Sequence, residues 1–123
     1  MEPTMFARET ERVERLAMDA VIAAEKRAGR EPLDVSRAKC GYDIESLKPE
    51  GGGFLFIEVK GRIEGARTVT VTKNEILTAF NKPEDYILAI VEIAGEAARD
   101  PVYIRRPFQR EPDFGVTSVN YDL

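Results

Sequence analysis

Asp43, Glu58 and Lys60 are the residues of this chain whose types and spacing suit them best to chemistry, and all lie between Gly41 and Arg62. That stretch reads as two strands joined by a Pro/Gly-rich loop over residues 48–53. Along the second strand Phe54, Phe56, Glu58 and Lys60 point one way, and Leu55, Ile57 and Val59 the other, because strand side chains alternate. If Leu47 pairs with Phe54, counting back along an antiparallel ladder sets Asp43 opposite Glu58. Side chains so opposed stand roughly 4.5–5.5 Å apart at Cβ, and like charges there repel. A cation between them is required. Lys60 supplies part of that charge, and two hard carboxylates with room for water also suit Mg²⁺ (or Mn²⁺), which prefers oxygen ligands and keeps several waters. The other reading of the same spacing is the solvated face of a hairpin. Phe54 and Phe56 share that face, which implies that it is at least partly covered, and a covered carboxylate pair needs a partner.

If the site is active, Asp43, Glu58 and the Val59 carbonyl hold the metal, which activates water and binds a phosphoryl oxygen. Lys60 then orients or deprotonates the attacking water and offsets charge on the phosphorane. The reaction is metal-dependent phosphodiester hydrolysis.

Composition narrows the alternatives. The 123 residues contain no histidine and one cysteine. Ser/His/Asp and Cys/His catalysis are therefore excluded, zinc is disfavoured, and carboxylates, Lys and Tyr remain as the acid–base repertoire. Cys40 reads as a small buried or turn residue, and a lone cysteine forms no internal disulfide. The formal net charge of −4 argues against tight free-standing nucleic-acid binding, which needs clustered Lys and Arg. Positive charge gathers only locally, at Lys60, Arg62, Arg67 and Lys73 and again at Arg105, Arg106 and Arg110. No apolar run approaches the ~20 residues that span a bilayer, and no charged-then-apolar leader opens the chain. A soluble, cytoplasmic chain with no membrane partner is expected.

The elements that must position these residues follow from periodicity. Met5 to Ala28 reads as one long helix with Phe6, Val13, Leu16, Ala17, Ala20, Ala24 and Ala28 as its apolar stripe, ended by Gly29. Glu14 and Glu25 share one flank, but three turns, roughly 16 Å, separate them, so only one approaches Asp43 and Glu58. Residues 32–36 suggest a short strand and residues 37–40 a polar turn. Val69 and Val71, alternating with threonines, mark a half-buried strand, and Thr72 to Glu75 fits a capping box opening a helix that stops before Pro83. The apolar run from Tyr86 to Ile93 is expected to be the sheet's centre, buried on both faces. Residues 102–105 read as a further strand. Residues 1–106 are read as one domain, and residues 107–123, with Pro107, Pro112 and Gly115, as an extended, loosely packed tail. Periodicity supports an α/β protein, one sheet with helices against it.

Several of these stretches resemble a known family. Asp43, then fourteen residues, then Glu58-Val59-Lys60 resembles the PD-(D/E)XK signature, and the match extends through Asp34-Val-Ser36, Gly41-Tyr-Asp-Ile-Glu-Ser46, Phe56 to Arg62, Thr72-Lys-Asn-Glu75 and Asp85-Tyr-Ile-Leu88. Together these are similar to the NO VEIN-type C-terminal domain of the restriction-endonuclease-like superfamily, which often follows helicase modules. The ending from Phe114 to Asp122 looks like the tail of such helicases. Tyr42 stands where many superfamily members have Pro or Gly. The resemblance implies an αβββαβ core with a mixed central sheet flanked by helices, and a nuclease domain excised from a helicase-related or defence protein. Its partners would be DNA and the helicase domains of the parent chain. It also implies Glu14 beside the metal, and Arg62, Lys73 and Asn74 near the substrate phosphate. A non-catalytic module that uses the same cleft to hold DNA or a partner protein is the alternative.

Overall fold

The computed structural model describes residues 3–109 and 118–122. Helix α1 (Pro3–Arg27) leads into β1 (Glu31–Asp34), a short 3-10 turn at Ser36–Ala38, β2 (Ile44–Leu47) and the long strand β3 (Phe54–Ile63). After β4 (Thr68–Thr72) and helix α2 (Lys73–Asn81) come β5 (Tyr86–Ala94), β6 (Ala97–Ala98), β7 (Val102–Arg105) and β8 (Ser118–Asp122).

The main sheet runs β1-β2-β3-β5-β6, with β7 also paired to β5. β2 and β3 form the expected hairpin in the expected register, Leu47 opposite Phe54 and Ile44 opposite Ile57. β3 and β5 are parallel, Phe56 opposite Tyr86 through Ile63 opposite Ile93. Parallel neighbours need a crossover, and β4 with α2 provides it. The result is a mixed α/β fold in the order α1, three strands, β4, α2, β5. β4 stands outside the main sheet and pairs instead with β8.

Alternation along β3 and β5 sends side chains into two cores. On one face Val13, Ala17 and Val21 of α1 pack on Ile44, Leu55, Ile57, Val59, Ile87, Ala89, Val91 and Ile93. On the other, Ile76 and Ala79 of α2 and Val69 and Val71 of β4 cover Tyr42, Tyr86, Leu88 and Ile90. β5 is buried on both sides, as its unbroken apolar run requires. α1 packs tightly against β3 at Gly61. A Cβ there would lie 2.8 Å from the Ala17 Cβ and 2.9 Å from the Val13 carbonyl oxygen.

Two expectations change. The buried stripe of α1 continues from Val21 to Glu25, four residues on, while Ala28 is exposed; the side chain of Phe6 lies outside the described residues. Glu25 is fully buried, held by Arg30 at 2.6 and 2.8 Å and by the Tyr103 hydroxyl at 2.6 Å. Burial opposes its ionisation, and the hydrogen bonds from Arg30 and Tyr103 outweigh burial and hold its pKa low. The stretch from residue 107 onward, expected as a loose tail, is tied in twice: Phe108 is buried in the α2-side core, and β8 pairs residue for residue with β4. Arg110 and residues 111–117 lie outside the described part. Among the described residues no helix is long and apolar enough to cross a membrane.

Candidate functional site

Asp43 sits just before β2, and its backbone is fixed from both sides. Its carbonyl accepts from the Val35 amide at 2.8 Å, and its amide donates to the Ile57 carbonyl at 2.9 Å. The carboxylate turns toward β3, where Oδ2 accepts the Val59 amide at 2.9 Å. Gly41 lets the preceding turn pass close to α2. It adopts φ +93°, a Cβ there would lie 2.2 Å from the Thr78 hydroxyl oxygen, and its carbonyl accepts from the buried Tyr86 hydroxyl at 3.1 Å. Tyr42, the departure from the resembled motif, packs edge-on against Phe56 with ring centroids 5.0 Å apart.

The sheet register therefore places Asp43 against Glu58 as counting back predicts. Glu58 is 4% exposed. Burial, then the neighbouring Asp43 carboxylate, push its pKa up to about 10, and burial also raises that of Asp43. The protonated form of Glu58 is thereby favoured, and it hydrogen-bonds both Asp43 and Glu75. Lys60 lies two residues along the same face, its Nζ 3.1 Å from Glu58 Oε2. Burial disfavours its charge, but its contacts with Glu58 and Glu75 outweigh burial and raise its pKa. The cover expected from the two phenylalanines is real at Phe56, which lies under Tyr42 and 4.4 Å from the Lys82 ammonium. It stops there: Phe54 is 43% exposed.

Glu75 is the residue that the spacing assigned only to a cap. The capping box forms, Thr72 N–H to Glu75 Oε1 at 2.9 Å and Glu75 N–H to the Thr72 hydroxyl at 3.1 Å. The same Oε1 also stands 2.9 Å from Lys60 Nζ. A side chain at the third helical position folds back on its cap, and this cap ends β4 above the charged face of β3.

Asp43, Glu58, Val59, Lys60 and Glu75 line one open cleft of about 760 Å³, closed on one side by α1 and on another by β4. Of the two helix-one candidates Glu14 lines this cleft, whereas Glu25 is committed to Arg30 and Tyr103 in the core. Lys73 is half-buried and Asn74 exposed, and neither lines the cleft. The Asn74 carbonyl accepts the Thr78 hydroxyl at 2.7 Å. Arg62 lies further along β3, beside a shallower pocket shared with Glu9, Val13 and Glu14. Its Nε and Nη1 are buried without a hydrogen-bond partner.

The cleft is acidic. Glu11, Glu14, Asp19, Asp34, Asp43, Glu58 and Glu75 face only Arg15 and Lys60, so it attracts cations and repels bare phosphate. Among the described residues no group of three or more Cys, His or carboxylate side chains converges closely enough to cage a metal. The available donors are the pair Asp43 and Glu58. A pair suits Mg²⁺, commonly held by one or two carboxylates with waters completing its shell, and does not suit a metal that needs a closed cage.

The fold and this half-buried carboxylate–lysine cluster define an α/β domain with an acidic cleft. Residues 13–104 match the family described as Protein NO VEIN, C-terminal. The chain belongs to that family. No curated protein matches it.

Proposed function

We propose that this domain hydrolyses nucleic-acid phosphodiesters, most naturally those of DNA, with Mg²⁺ or Mn²⁺ held by Asp43 and Glu58 and by the Val59 carbonyl. The observation that carries this reading is the opposed pair of half-buried Asp43 and buried Glu58, with the Lys60 ammonium against Glu58 in an open cleft. A structural ion pair needs no cleft. A solvated hairpin face does not force a carboxyl to hold its proton at neutral pH.

When bound, the metal supplies charge to offset a phosphoryl oxygen and lowers the pKa of a water. The chain's own groups supply the rest. Asp43 is presented by backbone bonds on both sides and is therefore rigid. Lys60 orients the attacking water and balances charge that develops on phosphorus. Glu14, exposed on α1 at the cleft wall, is placed to hold a metal-bound water. Arg62, further along β3, and Lys73 and Asn74, at the opening of α2, are the groups assigned to the backbone phosphates. The PD-(D/E)XK character and a parent helicase chain belong to this proposal.

The second reading is a non-catalytic module for DNA or protein. It is favoured by the net charge of −4 and by the acidic cleft. Titration of Mg²⁺ and Mn²⁺ into wild type and Asp43→Asn by calorimetry, followed by cleavage assays with wild type and Lys60→Ala, separates the two. The nuclease binds metal through Asp43 and loses cleavage in Lys60→Ala with its fold intact. A wild type that binds neither metal, or a Lys60→Ala variant that still cleaves, removes the nuclease reading.

A further inference from the structure

Lys60 stands between two carboxylates, Glu58 Oε2 at 3.1 Å and Glu75 Oε1 at 2.9 Å. The two differ in what else they must do. Glu58 faces Asp43 across the hairpin and, on the reading above, is required by the metal. Glu75 lies beside Glu58 in the same cleft, but it is also held from its own helix start: its Oε1 accepts the Thr72 amide and its own amide donates to the Thr72 hydroxyl. A cation taken up between Asp43 and Glu58 competes with Lys60 for Glu58, because both are positive and share one acceptor. Glu75 Oε1 is already engaged by the Thr72 amide as well as by Lys60, so the cap keeps it on the Lys60 side.

We infer that Glu75 is a positioning residue for the proposed hydrolysis: its carboxylate, clamped by the helix cap, anchors the Lys60 ammonium at the cleft floor when Glu58 turns to the metal. This rests on the nuclease reading for its purpose, but the anchoring itself is testable without metal. The capping box ties it to the fold. The start of α2, the end of β4 and the ammonium of β3 share one oxygen, so the crossover that joins β3 to β5 also sets where the ammonium sits.

A neutral substitution separates anchor from cap. Glutamine serves at the third position of a capping box as glutamate does, so Glu75→Gln keeps the helix start and removes only the charge facing Lys60. Glu58→Gln replaces the other partner with a group that cannot ionise. Thr72→Ala weakens the cap, by about 1 kcal/mol for such a residue, and leaves Lys60's two partners in place. The measurement is the Lys60 ammonium resonance in proton–nitrogen correlation spectra, assigned by its absence from Lys60→Ala. It is seen only while an ion pair shields the ammonium from exchange. In metal-free protein the resonance is expected in wild type, Glu58→Gln and Thr72→Ala and lost in Glu75→Gln. Its survival in Glu75→Gln, its loss in Glu58→Gln, or its absence from wild type overturns the inference. Addition of Mg²⁺ to wild type is expected to leave it visible, and its loss on metal binding likewise overturns the inference. A wild type that shows the expected pattern but binds no Mg²⁺ keeps Glu75 as the anchor of Lys60 and removes the nuclease reading instead.

Discussion

Replacing Glu58 with glutamine should stabilise the metal-free protein at neutral pH and remove a proton from its folding reaction. The glutamine is the same size and can still hydrogen-bond Asp43 and accept from Lys60, so the substitution deletes a titration rather than a contact. Glu58 moves from 4.5 to about 10 on folding, driven first by burial and then by Asp43. A raised carboxyl is favoured only in its protonated form, so the native state holds a proton that the unfolded state releases above 4.5. Its stability therefore falls as pH rises from 4.5 toward the folded value, by about 1.4 kcal/mol per unit. At pH 7, about 2.5 units above the unfolded value, the penalty is on the order of 3 kcal/mol, a large share of the 5–15 kcal/mol typical of a domain. Urea unfolding of both proteins in chelator, from about pH 5.5 to about pH 8.5, measures it. The variant should be the more stable at neutral pH, and the gap should widen with pH at close to one proton's slope. Parallel profiles, or a variant less stable throughout, would mean that Glu58 is ionised in the fold and paired by Lys60 alone.

Three further outcomes follow from the same structure. Mg²⁺ binding near neutral pH should release close to one proton, because the metal takes the ionised form of Glu58; calorimetry in buffers of different ionisation enthalpy counts it, and a count near zero contradicts a protonated Glu58. Gly61→Ala puts a methyl group 2.8 Å from the Ala17 Cβ and 2.9 Å from the Val13 carbonyl. That overpacking should cost about 1–3 kcal/mol, seen as a lowered Tm. Glu25→Ala strips both Arg30 and Tyr103 of their acceptor and should cost about 3–5 kcal/mol, the scale for breaking a buried pair. In wild type the depressed pKa of Glu25, in which bonds from Arg30 and Tyr103 overcome burial, contributes stability present above 4.5 and lost as pH falls through the lower folded value. Glu25→Ala should therefore flatten the acid limb of the stability curve.

Much of the site is legible without coordinates because a hairpin is a local structure. The Pro/Gly loop fixes the register, the register sets Asp43 against Glu58, and the period of two puts Lys60 beside them. Glu75 escaped because its link to Lys60 crosses fifteen residues and a change of element, and the capping pattern alone gave it a sufficient role. Lys73 and Asn74 were assigned to the cleft by resemblance. The structure turns Glu75 into it instead, since the third residue of the helix is the one that folds back on the cap.

The fate of the chain's end and of Glu25 shows the same division. Val119 and Tyr121 alternate with Ser118 and Asn120, a weak strand signal beside two prolines and a glycine, and β8 becomes a strand because β4 lies outside the main sheet and offers it a free edge. Glu25 falls on the apolar stripe by its spacing from Val21, yet an acid there is tolerated only because Arg30 and Tyr103, five and 78 residues away, meet it. By itself the sequence determined the helix, the hairpin and the chemistry of its charged face, all set by side-chain period and turn residues close along the chain. Tertiary structure alone decided which carboxylates share a cleft, which one holds its proton, and what grips Lys60, because those depend on burial and on neighbours that only the packed sheet and its crossover bring together.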